Sequence, residues 1–130
     1  MNIGQAASAS GVPAKTIRYY ESIGLLKPAP RSEGGYRVYG ETDLRVLKFI
    51  QRARSLGFSV KDVGNLLLLW SDRERSSSDV KAVALRHVEE IDRKLVELQS
   101  MRDTLIDLTH RCHGDDRPDC PIIEDLARNG

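Results

Sequence analysis

Gly11-Val12-Pro13-Ala14-Lys15-Thr16-Ile17-Arg18-Tyr19-Tyr20-Glu21-Ser22-Ile23-Gly24 is the stretch on which the fold turns. Pro13 suits a first helical position, where a missing N–H leaves no bond unmade, and Gly24 stops the helix. Ile17 and Tyr20, with Ile23 to Leu25 behind them, make one apolar side. Lys15, Thr16, Arg18 and Tyr19 fall on or near the opposite side and offer cations, a hydroxyl and an aromatic ring to phosphates and base edges. A solvated helix face would carry the same residue types, so the neighbouring segments decide the reading.

Upstream, Asn2 and Gln5 have the spacing of a capping box, Ile3, Ala6 and Ala7 give a short amphipathic helix, and Gly11 ends it. Two short helices across the tight Ser10-Gly11-Val12 turn predict a helix-turn-helix. Downstream, Pro28 and Pro30 lead into Arg31-Ser32-Glu33-Gly34-Gly35-Tyr36-Arg37-Val38-Tyr39. Gly34-Gly35 signals a hairpin, and Tyr36, Arg37 and Val38 alternate as a short strand does. The segment predicts a two-stranded wing beside the second helix, with Arg31, Tyr36 and Arg37 placed to grip phosphates. Tyr39 is at the same tip; either tyrosine could equally pack the wing onto the helices, and Tyr39 is read that way.

A third helix is predicted over Thr42 to Leu56, with Leu44, Leu47, Ile50 and Ala53 or Arg54 marking its period and Gly57 closing it. Ser59 with Asp62 caps a fourth, whose Val63, Leu66, Leu67, Leu69 and Trp70 are expected in the core. Leu66-Leu67-Leu68-Leu69 is apolar on more than one side, so part of it should face another element or subunit. Ser71 to Ser78 reads as a polar joint, and Ser76 with Asp79 can cap a fifth helix. From Val80 to about Thr109 there is no Gly or Pro, which predicts one helix of about 45 Å at ~1.5 Å per residue. Val88, Ile91, Leu95 and Leu98 follow the alternating four-three spacing of a coiled-coil seam, continued by Met101, Leu105 and Leu108. So long a stripe cannot be buried on a domain this small, and pairing with a second copy is expected.

Taken together the pattern is mainly α: an N-terminal winged helix-turn-helix, a long dimerisation helix forming a coiled coil, and a C-terminal metal-binding loop. The predicted boundaries are 1–70 for the DNA-binding domain, 71–110 for the linker and dimerisation helix, and 111–130 for the loop and a short last helix. Charge divides the same way. The 130 residues carry a net +1, but residues 1–70 hold ten Lys/Arg against five Asp/Glu and residues 71–130 hold ten against fourteen. The halves therefore carry +5 and −4, which points the first half at a polyanion such as double-stranded DNA. No apolar run approaches a membrane span and the first residues lack a signal pattern, so a cytoplasmic protein with no membrane partner is expected.

The chain's two cysteines bracket Cys112-His113-Gly114-Asp115-Asp116-Arg117-Pro118-Asp119-Cys120. In a reducing cytosol a structural disulfide is disfavoured, leaving metal binding or redox sensing. A site of two thiolates favours a soft monovalent ion such as Cu(I). Zinc comes second: it wants four ligands and would have to recruit His110 and His113, yet the spacing matches no common zinc pattern. Cysteines as small core residues are a third reading. Asp115, Asp116 and Asp119 are harder donors, read as turn formers. Two thiolates around a monovalent cation keep one negative charge, which the start of the long helix with Ser77 and Lys81 could offset across a dimer. Ile122, Ile123 and Leu126 in the last segment are expected to pack back on the body. An enzyme is not expected: a tight Cys-x-x-Cys is absent and no acid and base pair up in a predicted cleft.

With both ends read, the chain resembles the MerR family of transcriptional regulators, and within it the copper-responsive CueR/HmrR type. The similarity rests on Thr16-Ile17-Arg18-Tyr19-Tyr20-Glu21, Gly24-Leu25 and Arg31 to Tyr39 at one end, and on Cys112 to Cys120 with Pro121-Ile122 at the other. Ser77 falls where copper-type members carry serine and sensors of divalent ions carry a cysteine from the partner subunit. The resemblance implies a homodimer on a two-fold operator of a copper-efflux or resistance promoter, repressing when metal-free. It implies Cu(I), with Ag(I) or Au(I) as alternatives, held by Cys112 and Cys120, one ion per two-cysteine site. Activation would come from bending and untwisting DNA so that RNA polymerase engages both promoter elements. It also implies Lys15, Arg18, Tyr20, Tyr36, Arg37 and Arg54 as DNA contacts, which puts Tyr20 on two lists, core and interface. A MerR-type sensor of another metal such as zinc, and a thiol redox sensor, stand as alternatives.

Overall fold

The computed structural model describes residues 1–129 and contains, among them, six helices. They are α1 (Ile3–Ser10), α2 (Ala14–Ser22), α3 (Glu41–Ser55), α4 (Val60–Ser71), α5 (Ser77–Arg111) and α6 (Pro121–Asn129). The starts are set by side chains that satisfy orphan backbone donors. Asn2 Oδ1 accepts from the Gln5 N–H at 2.8 Å while Gln5 Oε1 accepts from the Asn2 N–H at 2.9 Å. Asp43 accepts from the Gly40 N–H at 2.9 Å ahead of α3, and Ser59 Oγ accepts from the Asp62 N–H at 3.1 Å ahead of α4. At the start of α5, Ser76 Oγ accepts from the Ser78 N–H at 3.1 Å, so the helix begins three residues earlier than Val80. Gly11, at φ 78°, closes α1 by donating its N–H to Ala7 O.

Chain compactness divides the molecule into two units, Met1 to Val83 and a second from Ala84 onward, so the division falls inside α5. In the first unit α1 packs on α2 and α3, and α3 on α4. Their shared core holds Ala6, Val12, Ile17, Tyr20, Leu26, Tyr39, Leu47, Ile50 and Val63. Tyr20, at 6% exposure, is a core residue. The expected burial of α4 is corrected: of its predicted core positions Val63 alone is buried, Leu66, Leu67 and Leu69 are half-buried, and Trp70 is 36% exposed. One helix cannot turn four consecutive leucines and a tryptophan toward a single neighbour. Trp70 stacks on Phe49, with ring centroids 4.6 Å apart, and has the Arg45 guanidinium 5.8 Å from its ring centroid.

The wing is also corrected in detail. No strand forms among the described residues; Arg31 and Arg37 make one isolated antiparallel bridge. The segment is too short for a ladder, and its order comes from the turn. Gly35 N–H donates to Ser32 O at 2.9 Å, Ser32 N–H to Tyr36 O at 2.7 Å and Val38 N–H to Pro30 O at 2.8 Å. Gly35 sits at φ 81°, a backbone region that glycine enters without a Cβ penalty.

In the second unit, α5 exposes Val88, Ile91, Leu95, Leu98, Met101 and Leu105 at 38–58% of their surface, while Leu108 is 2% exposed. The seam available to another chain therefore stops before Leu108, which the protomer itself covers. The last segment is a full helix, but Ile123 and Leu126 are exposed and Ile122 is half-buried, against the expectation that all three pack back. Ile123 and Leu126 therefore lie on a side of α6 that its own chain leaves uncovered.

Candidate metal centre and nucleic-acid interface

Two elements end and begin at the cysteines. Cys112 follows α5, and its N–H still donates to Leu108 O at 3.1 Å and Thr109 O at 3.2 Å. Cys120 occupies the N-cap position of α6: its carbonyl accepts from the Glu124 N–H at 3.0 Å. Gly114, at φ 67°, turns the chain between them, and Asp115 is engaged by Arg117, whose backbone N–H and Nε both lie 2.9 Å from its carboxylate oxygens. Asp115 thus shapes the loop, as read from its residue type.

The turn brings Cys112 Sγ within 3.8 Å of Cys120 Sγ, both half-buried and both free. A disulfide requires about 2.05 Å, so these are two separate thiols on one small site. The Cys120 thiol is held below its ordinary range, chiefly by the Ile123 N–H directed at the sulfur, with the Ile122 N–H and the Cys112 thiol adding to it against partial burial. Sulfur here takes the place that an Asp or Ser oxygen takes at other helix starts. No group of three or more Cys, His, Asp or Glu converges among the described residues. His110 and His113 are exposed and do not join the thiols in a zinc-like set. The donor chemistry fits a soft ion accepting two sulfurs. It does not supply four-coordinate zinc from one chain.

In the first unit, a hollow of about 260 Å³ is lined by Asn2, Ile3, Arg18, Arg31, Gly35, Tyr36 and Arg37. It brings a cation of α2 together with two cations of the wing and Tyr36, which is 74% exposed. Arg31 is aimed by donating to Gly35 O at 3.0 Å. Lys15 is exposed on α2, Thr16 is half-buried, and Tyr19 leaves half its surface open with its ring 6.1 Å from that of Tyr20. Arg54 lies on the last turn of α3, outside the hollow, and donates to Phe58 O at 2.6 Å. Ser77 and Lys81 share a separate cationic recess with Arg73 and Arg75 at the start of α5.

Behind the wing lies a group that sequence pattern alone did not single out. The Glu21 side chain, 4% exposed, accepts a short hydrogen bond from the Tyr39 hydroxyl and stands 3.5 Å from Arg37 Nη1 through its other oxygen. Burial, and then the neighbouring Glu21 carboxylate, push the Tyr39 phenol up to about 12. The signal was available: Glu21 is four residues after Ile17, on the apolar side of α2, where an acid needs a partner.

Two family models match: one described as MerR HTH family regulatory protein over residues 1–69, the other as MerR, DNA binding, over residues 44–108. The chain is 59% identical over 127 residues to the heavy metal-dependent transcription regulator 2 of Rhizobium meliloti, spanning 98% of this chain and 86% of that protein. It is 46% identical to the HTH-type transcriptional regulator CueR of Escherichia coli O157:H7, over 98% and 94% of the two chains. Among solved structures, the transcription regulator PbrR691 of Ralstonia metallidurans CH34 in complex with lead(II) superposes with a TM-score of 0.82. It is 32% identical and the match covers 97% of this chain and 98% of that one.

Proposed function

The chain belongs to the MerR family of helix-turn-helix regulators, which are DNA-binding proteins and not enzymes, and from that membership we propose that it is a metal-responsive transcriptional regulator whose inducer is Cu(I). Ag(I) and Au(I) belong to the same soft, low-coordinate class. The observation that carries the reading is the pair of free thiols 3.8 Å apart, built from the end of α5 and the cap of α6 in a chain that begins with a DNA-reading head. The name of one relative, a heavy metal-dependent transcription regulator, supports a metal effector, and a donor set of two sulfurs favours a soft monovalent ion.

Cys112 and Cys120 would hold the ion, which supplies a charge and a cross-link between α5 and α6. The remaining negative charge of the two thiolates would be met by the start of α5 from a second copy, with Ser77 and Lys81. Homodimerisation through the exposed α5 seam joins two heads on one operator in the cytoplasm. Lys15, Thr16, Arg18 and Tyr19 read or grip the duplex from α2, Arg31, Tyr36 and Arg37 from the wing, and Arg54 from α3. Tyr20, sealed in the core, supports them from behind.

Metal binding is a local event that must bias a two-state element. Ordering the 112–120 loop fixes where α6 starts, and α6 carries an apolar side ready to seat elsewhere in the dimer. Promoter DNA bound in both states would then be straightened or bent and untwisted, which lets RNA polymerase act on promoter elements it could not otherwise engage together. Footprinting of a bound promoter with and without Cu(I) tests this. Occupancy in both states with a metal-dependent change in DNA distortion is expected; binding lost in one state with no change in distortion contradicts it.

A further inference from the structure

We propose that Glu21 is a positioning residue of the DNA interface: a buried carboxylate on α2 that fixes the wing's Arg37 in the orientation from which it meets a backbone phosphate. The inference rests on Arg37 being a DNA contact, as proposed for the wing.

The geometry is that of an aimed cation. Glu21 Oε1 is taken by the Tyr39 hydroxyl, so the carboxylate is anchored to the return arm of the wing. Glu21 Oε2 has no hydrogen-bond partner and faces Arg37 Nη1 at 3.5 Å, an ion pair without a directed bond. A guanidinium has five N–H donors in a rigid fork, so contacts to Glu21 and to the Tyr39 hydroxyl still leave N–H donors for a phosphate. The Arg37 side chain is 31% exposed and lines the hollow it shares with Arg18, Arg31 and Tyr36. One end of Arg37 is thus tied to the recognition helix while the other faces the open side. A phosphate arriving there would meet a fork already placed, and the ordering of a long side chain would not have to be done at binding.

The buried charge also locks the wing to α2. An unpaired carboxylate at 4% exposure is costly, so Glu21 needs both Tyr39 and Arg37 close by. Wing and helix are thereby held as one reading surface even though the wing has a single bridge and no ladder.

The test is a double-mutant cycle on DNA affinity across a salt series, using full-length protein and a duplex enriched by the wild-type protein from a random-sequence pool. Arg37→Met is expected to weaken binding roughly tenfold and to lower the salt slope by about one. Glu21→Gln should weaken binding by a similar factor in the wild-type background and have no effect in the Arg37→Met background. Glu21→Asp, which keeps the charge but withdraws it from the guanidinium, should weaken binding in between and serves if Glu21→Gln does not fold. Equal effects of Glu21→Gln in both backgrounds, tighter binding by it, or wild-type affinity in Glu21→Asp would overturn the proposal. If Arg37→Met itself leaves affinity and salt slope unchanged, the DNA-contact reading fails first and takes the proposal with it.

Discussion

Three residues show what is decided at the smallest scale. Tyr39 is the first. Its phenol is raised to about 12, so between pH 10 and 12 the unfolded chain releases that proton while the folded chain keeps it. Stability contributed by the neutral hydroxyl is fully present below pH 10 and is lost as pH rises toward 12, by up to roughly 2–3 kcal/mol. Thermal unfolding across this range should fall less steeply in Tyr39→Phe than in wild type; parallel curves would show that the buried hydroxyl is not linked to folding. The second is Cys120, held below the ordinary thiol range by the Ile123 N–H. In metal-free protein, the pH midpoint for alkylation of Cys120, followed by peptide mass spectrometry, should lie below that of an unperturbed thiol, and a midpoint at or above it contradicts the N-cap assignment. The third is Glu21, which shows what residue-level reading missed. An acid inside a run rich in Arg and Tyr reads as a solvated charge, and only its register with Ile17 marks it as buried. Tyr20 stood on two lists: helical period placed it inside and the family resemblance placed it at the DNA, and the ring lies in the core.

Elements were legible where a side chain's job is local. The Asn2–Gln5 box and the Ser59 cap were readable because they need only residue type and spacing, and each is worth about 1 kcal/mol on removal. The wing was readable as a turn and not as a ladder, since Gly34-Gly35 dictates chain reversal but two or three alternating residues do not guarantee pairing. Gly35→Ala, with no atom near the new Cβ but a backbone at φ 81°, should destabilise by about 1 kcal/mol from strain alone. Seen by thermal unfolding, no loss would mean the wing relaxes freely. Two apolar readings failed for a non-local reason. Period shows that Leu66 to Trp70, and Ile122 to Leu126, have an apolar side, yet what covers that side depends on neighbours the period does not contain. For α5 the exposed seam supports a two-chain reading. If α5 pairs as proposed, Leu95→Glu, replacing a centre-of-seam leucine by charge, should leave a monomer in sedimentation where wild type is a dimer; a retained dimer would place the interface elsewhere.

At the scale of the molecule, the charge asymmetry of +5 and −4 assigned one half to DNA before any geometry was available, and the hollow with Arg18, Arg31 and Arg37 gives that excess a location. In the proposed reading, the two thiols are the switch of the other half. Coupling between them cannot be read from a pattern of residues, because it is a property of two alternative arrangements and the sequence encodes both at once. The most direct test is single-round transcription from a promoter occupied by the wild-type protein, with Cu(I) titrated against wild type, Cys112→Ser and Cys120→Ser. Wild type should activate as Cu(I) is added, while both serine variants still occupy the promoter and stay inactive. Normal activation by either variant would show that the ion is not sensed by this pair of sulfurs.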